Sequence, residues 1–420
     1  MKNIFIALAV LLFGASTPTF AASNTLDGLE EFHIRGGLPN FFKKIGTGKE
    51  VRIAYIGGSI TEARDGWRDL TFNWFRSQYP LTPFVQIDAT IGGTGSDLGV
   101  FRMDKDVLSQ QPDLVFVEFA VNDYGRTEQE IRKTMEGIVR KTWKQFPAAD
   151  ICFTYTIAQN VVETMQKGAY QHSAIAMERI AEHYQIPSIH MGVEVVRLLE
   201  AGKLIFTGNP EEHPGKVVFT QDRTHPLSLT GHPIYANSVI KFMQKMEGHA
   251  ASKAHTLPLP VEKDNWELAQ MIPLSEFQLS DGWEKLSSEN ELRQKFVKFM
   301  PDLFHANPPG ASFTVKFKGS ILGIYDVVGP KTGLIEVTAD GQKPSEIFRF
   351  DQYCKSYRKS TFFVQDLSDG VHEVTFRATG KEFDKAEILK KKNITITDPA
   401  DYAGWGLYLN SVLLVGELMK

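Results

Sequence analysis

Between residues 51 and about 245, short apolar runs alternate with stretches patterned at helical spacing, and this alternation narrows the fold more than any other feature of the chain. A strand covered on both faces has no solvent side on which to place polar residues, so apolar runs separated by amphipathic helices point to an open parallel sheet with helices above and below. The candidate strands are residues 51–56, 84–88, 114–120, 151–155 and 187–190. Among the helices, Thr127 and Glu130 have capping-box spacing, with Ile131, Met135, Ile138, Thr142 and Phe146 following at three- and four-residue intervals as one buried face. Residues 172–184 and 229–243 read as further helices.

Near residue 248 the period changes. Residues 249–263 carry Ser, Pro and Lys with little periodicity and are expected to be a linker. Beyond them the pattern alternates every second residue: 313–317, 334–338, 372–378 and 407–415 read as strands, with Asp340-Gly341 and Asp369-Gly370 as turns. The expectation is an α/β domain over 22–248 and a jelly-roll-like β-sandwich over 264–420.

Residues 1–21 have the organisation of an export signal. Lys2 is followed by an apolar run over 4–13 and by small residues near Ala21. That run is too short to span a bilayer, and no cysteine follows it to take a lipid anchor. The expected product is periplasmic or secreted. Its two cysteines, Cys152 and Cys354, are expected to be buried free thiols. A formal net charge of −4 and the lack of a long basic run argue against a nucleic-acid partner.

Four polar or glycine-rich segments carry the chemistry. In Ile56-Gly57-Gly58-Ser59-Ile60-Thr61 a strand ends in two glycines, and a serine sits where a helix should begin, at the carboxyl edge where α/β sheets build their sites. Gly92, Gly93 and Gly95 follow the second strand and can bring backbone amides close to a ligand. Asn122 stands just past the third strand, where its amide can donate to an oxyanion. In Asp222-Arg223-Thr224-His225 the three-residue offset lets a carboxylate accept from Nδ1 of the imidazole, leaving Nε2 to take a proton from a serine. Each segment alone has an ordinary structural explanation as a cap, turn or loop.

Together, Gly58-Ser59-Ile60-Thr61, Gly93, Asn122-Asp123 and Asp222/His225 resemble the ordered blocks of the SGNH (GDSL-type) hydrolases, over roughly residues 50–245. The resemblance implies a flavodoxin-like three-layer domain with a parallel sheet and a Ser59–His225–Asp222 triad. It further implies an oxyanion hole from the Ser59 N–H, the Gly93 N–H and the Asn122 side chain. Gly58 departs from the family's usual Asp; the GGSIT form is similar to that of carbohydrate-active members. The choice of Gly93 over Gly92 or Gly95 stays open.

This resemblance implies an esterase that needs no cofactor and no metal, acting on an acylated, expectedly acetylated, oligo- or polysaccharide. Trp67 is a candidate for stacking on a sugar ring, with core packing beside Trp74 as the alternative reading. Two other functions remain open: a lipase or thioesterase of the same fold, and a catalytically silent glycan-binding protein. The polar stretch Glu62-Ala63-Arg64-Asp65 after the nucleophile disfavours long acyl chains.

Overall fold

The computed structural model describes residues 28–249 and 251–419; the expected leader over 1–21 lies outside the described residues. Six strands form the first sheet: β1 (Phe32–His33), β2 (Val51–Gly57), β3 (Phe84–Thr90), β4 (Leu114–Glu118), β5 (Asp150–Tyr155) and β6 (Ser188–His190). Five are parallel in the order β3-β2-β4-β5-β6, and β1 pairs antiparallel with β6 at the edge. This is the flavodoxin-like order. The chain reverses direction across the sheet between β2 and β4, which opens a crevice at their carboxyl ends.

Alternate residues of each strand feed two separate cores. Ala54, Ile56, Val115, Val117, Ile151 and Phe153 face one side, while Ile53, Tyr55, Leu114, Phe116 and Cys152 face the other. Helices α1 (Pro39–Ile45), α2 (Ser59–Glu62), α3 (Trp67–Gln78), α4 (Ser96–Asp106), α5 (Glu128–Gln145), α6 (Gln159–Gln166), α7 (His172–His183), α8 (Gly192–Glu200) and α9 (Gly231–Met246) complete the domain. The Thr127/Glu130 capping box starts α5 with both reciprocal bonds, and Ile131, Met135, Ile138 and Thr142 are buried beneath it. A short parallel ribbon of β7 (Leu204–Thr207) and β8 (Val217–Thr220) was not expected; four-residue strands give too little alternation to stand out.

Residues 251–263 contain no helix or strand, yet they are pinned to the first domain. The His255 N–H donates to the Pro147 carbonyl, and the Val261 and Glu262 N–H groups donate to the buried Glu136 carboxylate. The segment is a strap rather than a flexible tether.

The C-terminal domain is an antiparallel sandwich. Its strands are β9 (Ala269–Pro273), β10 (Trp283–Lys285), β11 (Phe304–Ala306), β12 (Ser312–Val328), β13 (Leu334–Ala339), β14 (Ser345–Phe348), β15 (Arg358–Phe363), β16 (Gly370–Ala378) and β17 (Leu407–Leu418). The expected strand at 313–317 is the first part of the 17-residue β12, which pairs with β16 in its first half and with β15 in its second. Irregularities in its pairing with β17, at Gly319/Ile321 and Tyr325/Asp326, bend the sheet so that one strand serves both layers. Phe313, Val315, Phe317, Leu322, Ile324, Val374, Phe376, Val412 and Leu414 fill the space between.

The outer face of the β12–β17 layer is apolar as well, and it packs on the first domain. Tyr325, Val327, Leu413 and Val415 join the core that contains Phe101 of α4 and Ile138 of α5. Phe101 packs against Trp266 and Phe363 at centroid distances of 5.4 and 5.9 Å, and those two rings meet each other at 5.8 Å. Cys152 and Cys354 are buried free thiols in different clusters.

Candidate active site

β2 leads to Ser59, the candidate nucleophile, through a turn that tolerates no side chain. A Cβ on Gly57 would lie 2.8 Å from both the Glu118 carbonyl and the Thr61 hydroxyl; one on Gly58 would lie 2.0 Å from Asn122 Oδ1. The Asn122 amide is thus packed directly against the Gly58 backbone. Ser59 is the first residue of α2, so its N–H has no intrahelical acceptor.

The candidate base, His225, comes from the turn after β8. An isolated bridge between Thr220 and Pro226 closes this turn, Arg223 adopts a left-handed φ of 74°, and the Arg223 carbonyl accepts the Gln159 N–H at 2.8 Å. Ser59 Oγ lies 2.8 Å from His225 Nε2, and His225 Nδ1 lies 2.6 Å from Asp222 Oδ2. The other carboxylate oxygen of Asp222 accepts the N–H groups of His225 and Thr224 and the Thr220 hydroxyl. Partial burial acts to raise the Asp222 pKa, but the hydrogen bonds from the His225 N–H and ring and from the Thr224 N–H outweigh it and hold the carboxyl well below the usual range. The side chains of His225 and Asp222 are 48% and 56% exposed, so this relay is open to an entering substrate and to water.

Opposite the base, the three glycines separate into different roles. The Gly92 N–H donates to the Glu62 carboxylate at 2.8 Å, one turn after Ser59 on α2, and is thereby occupied. Gly93 has a φ of 75°, and no atom lies within 4 Å of where its Cβ would be, so its backbone borders open space. A Cβ on Gly95 would instead run into the Asp123 carboxylate at 2.2 Å. Among the described residues, neither the Gly93 N–H nor the Asn122 amide has a protein acceptor.

Buried carboxylates tie these loops together. Glu118, at the end of β4, accepts the hydroxyls of Thr61 and Thr156 at 2.9 and 2.6 Å, joining three strand ends. Burial pushes its pKa up, and those two hydroxyls temper the rise. Asp123 accepts the Ser96 N–H at 3.0 Å, fastening the segment after Asn122 to the start of α4, and its second oxygen has no partner. Its pKa is pushed up to about 7, first by burial and then by neighbouring Asp97, against the hydrogen bond from Ser96 and the Arg126 charge.

Trp67 corrects an expectation. It is fully buried, edge-on to Tyr55 at 5.6 Å and to Phe116 at 6.1 Å, and is not available to stack on a substrate. Its backbone N–H donates to His232, so it anchors α3 to α9.

Residues 55–226 match the GDSL-like lipase/acylhydrolase family. The first domain is an SGNH, or GDSL-like, acylhydrolase. No curated protein sequence matches the chain. Among solved structures, a two-domain esterase (CEX) active on acetylated mannans, co-crystallised with mannopentaose, is 22% identical over 94% of this chain and 99% of its own, with a TM-score of 0.72. A second structure of a two-domain esterase (CEX) active on acetylated mannans gives 22% identity, coverage of 93% and 98%, and a TM-score of 0.70. At that identity the likeness is one of fold, and it runs through both domains.

In this SGNH acylhydrolase the sandwich reaches the glycine loop beside the candidate site. A cleft of about 590 Å³ is walled on one side by Gly92, Gly93 and Arg126 and on the other by Tyr357, Arg358 and Lys359. Lys359 lies over the Phe299 ring at 3.9 Å. Burial lowers its pKa, with the Glu62 carboxylate acting in the opposite direction. Neither Glu62 nor these sandwich residues was singled out in the sequence. They lie in no motif, and only domain packing brings β15 to the loop after β3. Among the described residues, no group of three or more His, Cys, Asp or Glu side chains is gathered to hold a metal ion, and no helix is long and apolar enough to cross a membrane.

Proposed function

We propose that this SGNH esterase removes O-acyl groups, with acetyl as the expected acyl group, from carbohydrates outside the cytoplasm, using Ser59, His225 and Asp222. The observation that carries the reading is the continuous 2.8 and 2.6 Å relay from Ser59 through His225 to Asp222, beside a cleft walled by both domains.

Ser59 Oγ attacks the ester carbonyl carbon as its proton passes to His225 Nε2, while Asp222 holds the Nδ1–H tautomer and faces the imidazolium that forms. The Ser59 N–H, the Gly93 N–H and Asn122 Nδ2 receive the developing oxyanion; loss of one such donor costs about 10²–10³ in kcat. The C–O bond to the sugar then breaks and His225 returns the proton to the departing hydroxyl, leaving an acyl-Ser59 ester. Water attacks that ester and gives its proton to His225. Ser59 leaves, recovers the proton, and the carboxylic acid departs.

Three things support a carbohydrate rather than a lipid substrate. The cleft lining is rich in charged and hydroxyl groups, including Asp97, Arg126, Arg358, Lys359 and Ser360, which suits a hydroxyl-rich ligand and not a long acyl chain. The whole-chain fold is that of an esterase active on acetylated mannans. The leader expected over residues 1–21 would place the enzyme where polysaccharides are met.

The test is acetate release from a panel of acetylated polysaccharides by the protein and by Ser59→Ala. Release abolished in Ser59→Ala is expected. Turnover of long-chain aryl esters in preference to acetates, with no release from any carbohydrate, would overturn the carbohydrate reading.

A further inference from the structure

The sandwich holds a second cavity, of about 680 Å³, that shares a lining residue with the cleft beside the glycine loop. Two elements line both. Tyr357 borders the cleft and this cavity, and the short helix α10 (Glu291–Phe296) turns Phe296 towards the cleft and Glu291 and Leu292 towards the cavity. The two spaces thus share a wall at Tyr357 and α10.

Its lining combines aromatic side chains with hydrogen-bonding groups. Tyr357, Tyr402, Tyr408 and His305 are each partly exposed there. Their positions are held by one another: His305 stacks on Tyr408 at 4.8 Å, and Tyr357 meets Tyr408 edge-on at 5.7 Å. Around them stand Glu284, Asn290, Lys331 and Asp401. A pyranose ring presents apolar C–H faces and a girdle of hydroxyls, so rigid aromatic surfaces rimmed by charged and amide groups complement it on both counts. A long acyl chain would leave those polar groups without partners.

We propose that this cavity is a glycan subsite. It binds sugar units of the same polysaccharide chain whose acyl ester lies at Ser59, so that the enzyme reads chain length through its C-terminal domain. This inference rests on the carbohydrate reading of the active site. It adds a site outside the triad's domain and a substrate class: a polymer or long oligomer, not a free acetylated monosaccharide.

The test separates binding from catalysis. Unacetylated manno- and xylo-oligosaccharides of two to six units are titrated calorimetrically into full-length Ser59→Ala protein, with and without Asp401→Trp or Tyr402→Ala. Asp401 is exposed, so Asp401→Trp fills the cavity without disturbing a core; melting curves and p-nitrophenyl acetate turnover in the Ser59 background check fold and triad. For at least one series, affinity is expected to rise with length and to fall about tenfold in Tyr402→Ala, the loss of roughly one aromatic contact, and at least as far in Asp401→Trp, whose ring takes up the space the sugar needs. Aryl acetate turnover should stay unchanged. Length-dependent binding that both variants leave intact would overturn the subsite, as would the absence of binding at any length while acetylated polymers are still deacetylated. Failure to deacetylate any carbohydrate, with aryl acetates still cleaved, would instead sink the carbohydrate reading itself.

Discussion

The Asn122 side chain occupies the space that a Cβ on Gly58 would need, with Oδ1 2.0 Å and Nδ2 3.0 Å from that point. The residue before the nucleophile and the amide past β4 are therefore one fitted pair at the sheet's switch point. Gly58→Ala should displace the amide and lower kcat on p-nitrophenyl acetate by about 10²–10³, the same range as Asn122→Ala. The double variant should be little worse than either single one, because both remove the same donor. Fully additive losses would show that the pair does not act as a unit.

Glu62 fastens the glycine loop to the helix that carries Ser59. Glu62→Gln keeps an oxygen to accept the Gly92 N–H and should retain most of the activity, whereas Glu62→Ala releases the loop and should lower kcat about tenfold or more with little change in KM. Equal activity of the two variants would mean that the Gly92 bond does not position the loop.

Asp222→Asn should preserve the turn, since an amide oxygen can still accept the Thr224 and His225 N–H groups. The imidazole would lose the partner that holds its Nδ1–H tautomer, and kcat is expected to fall by about 10⁴. A melting curve matched to that of the unmodified protein would assign the loss to chemistry.

Asp123 makes stability depend on pH. Its folded pKa of about 7 lies above the ordinary carboxyl value of 3.8, so between those values the native state holds a proton that the unfolded chain has released. Its contribution therefore weakens stability as pH rises from about 4 to 7, and the full penalty remains above that window. Asp123→Asn keeps an acceptor for the Ser96 N–H and removes the titration. The difference in melting temperature, variant minus unmodified, should become more positive from pH 4 to pH 8; a constant difference would place the titration elsewhere.

Phe101 packs α4 against the sandwich. It is 1% exposed and enclosed by Trp266 and Phe363, so Phe101→Ala should cost about 3–5 kcal/mol in denaturant unfolding. A change near zero would mean that the sandwich re-seats itself without this contact.

Much of the architecture is decided locally, and for that reason could be read from the chain. The apolar runs of β2 and β4 are buried on both faces, the Thr127/Glu130 box needs only a four-residue segment, and period-two alternation marks the sandwich strands. Ser59, Asn122, Asp222 and His225 could be singled out because each stands at a strand end or in a turn, and it was their resemblance to the ordered SGNH blocks that joined them into one candidate site.

Other features depend on which surfaces meet. Trp67 follows the nucleophile in sequence, yet its ring turns inward against Tyr55 and Phe116 because α3 lies on the sheet with that face down. Glu62 belongs in sequence to a polar stretch, and its bond to the Gly92 N–H exists only because the loop after β3 folds over it. Tyr357 and Lys359 lie about 300 residues beyond Ser59 and reach the cleft only because the outer face of the β12–β17 layer is apolar and must be covered. Local patterning determined the elements, their order and the chemistry at their ends; burial of that face decided that two domains build one cleft.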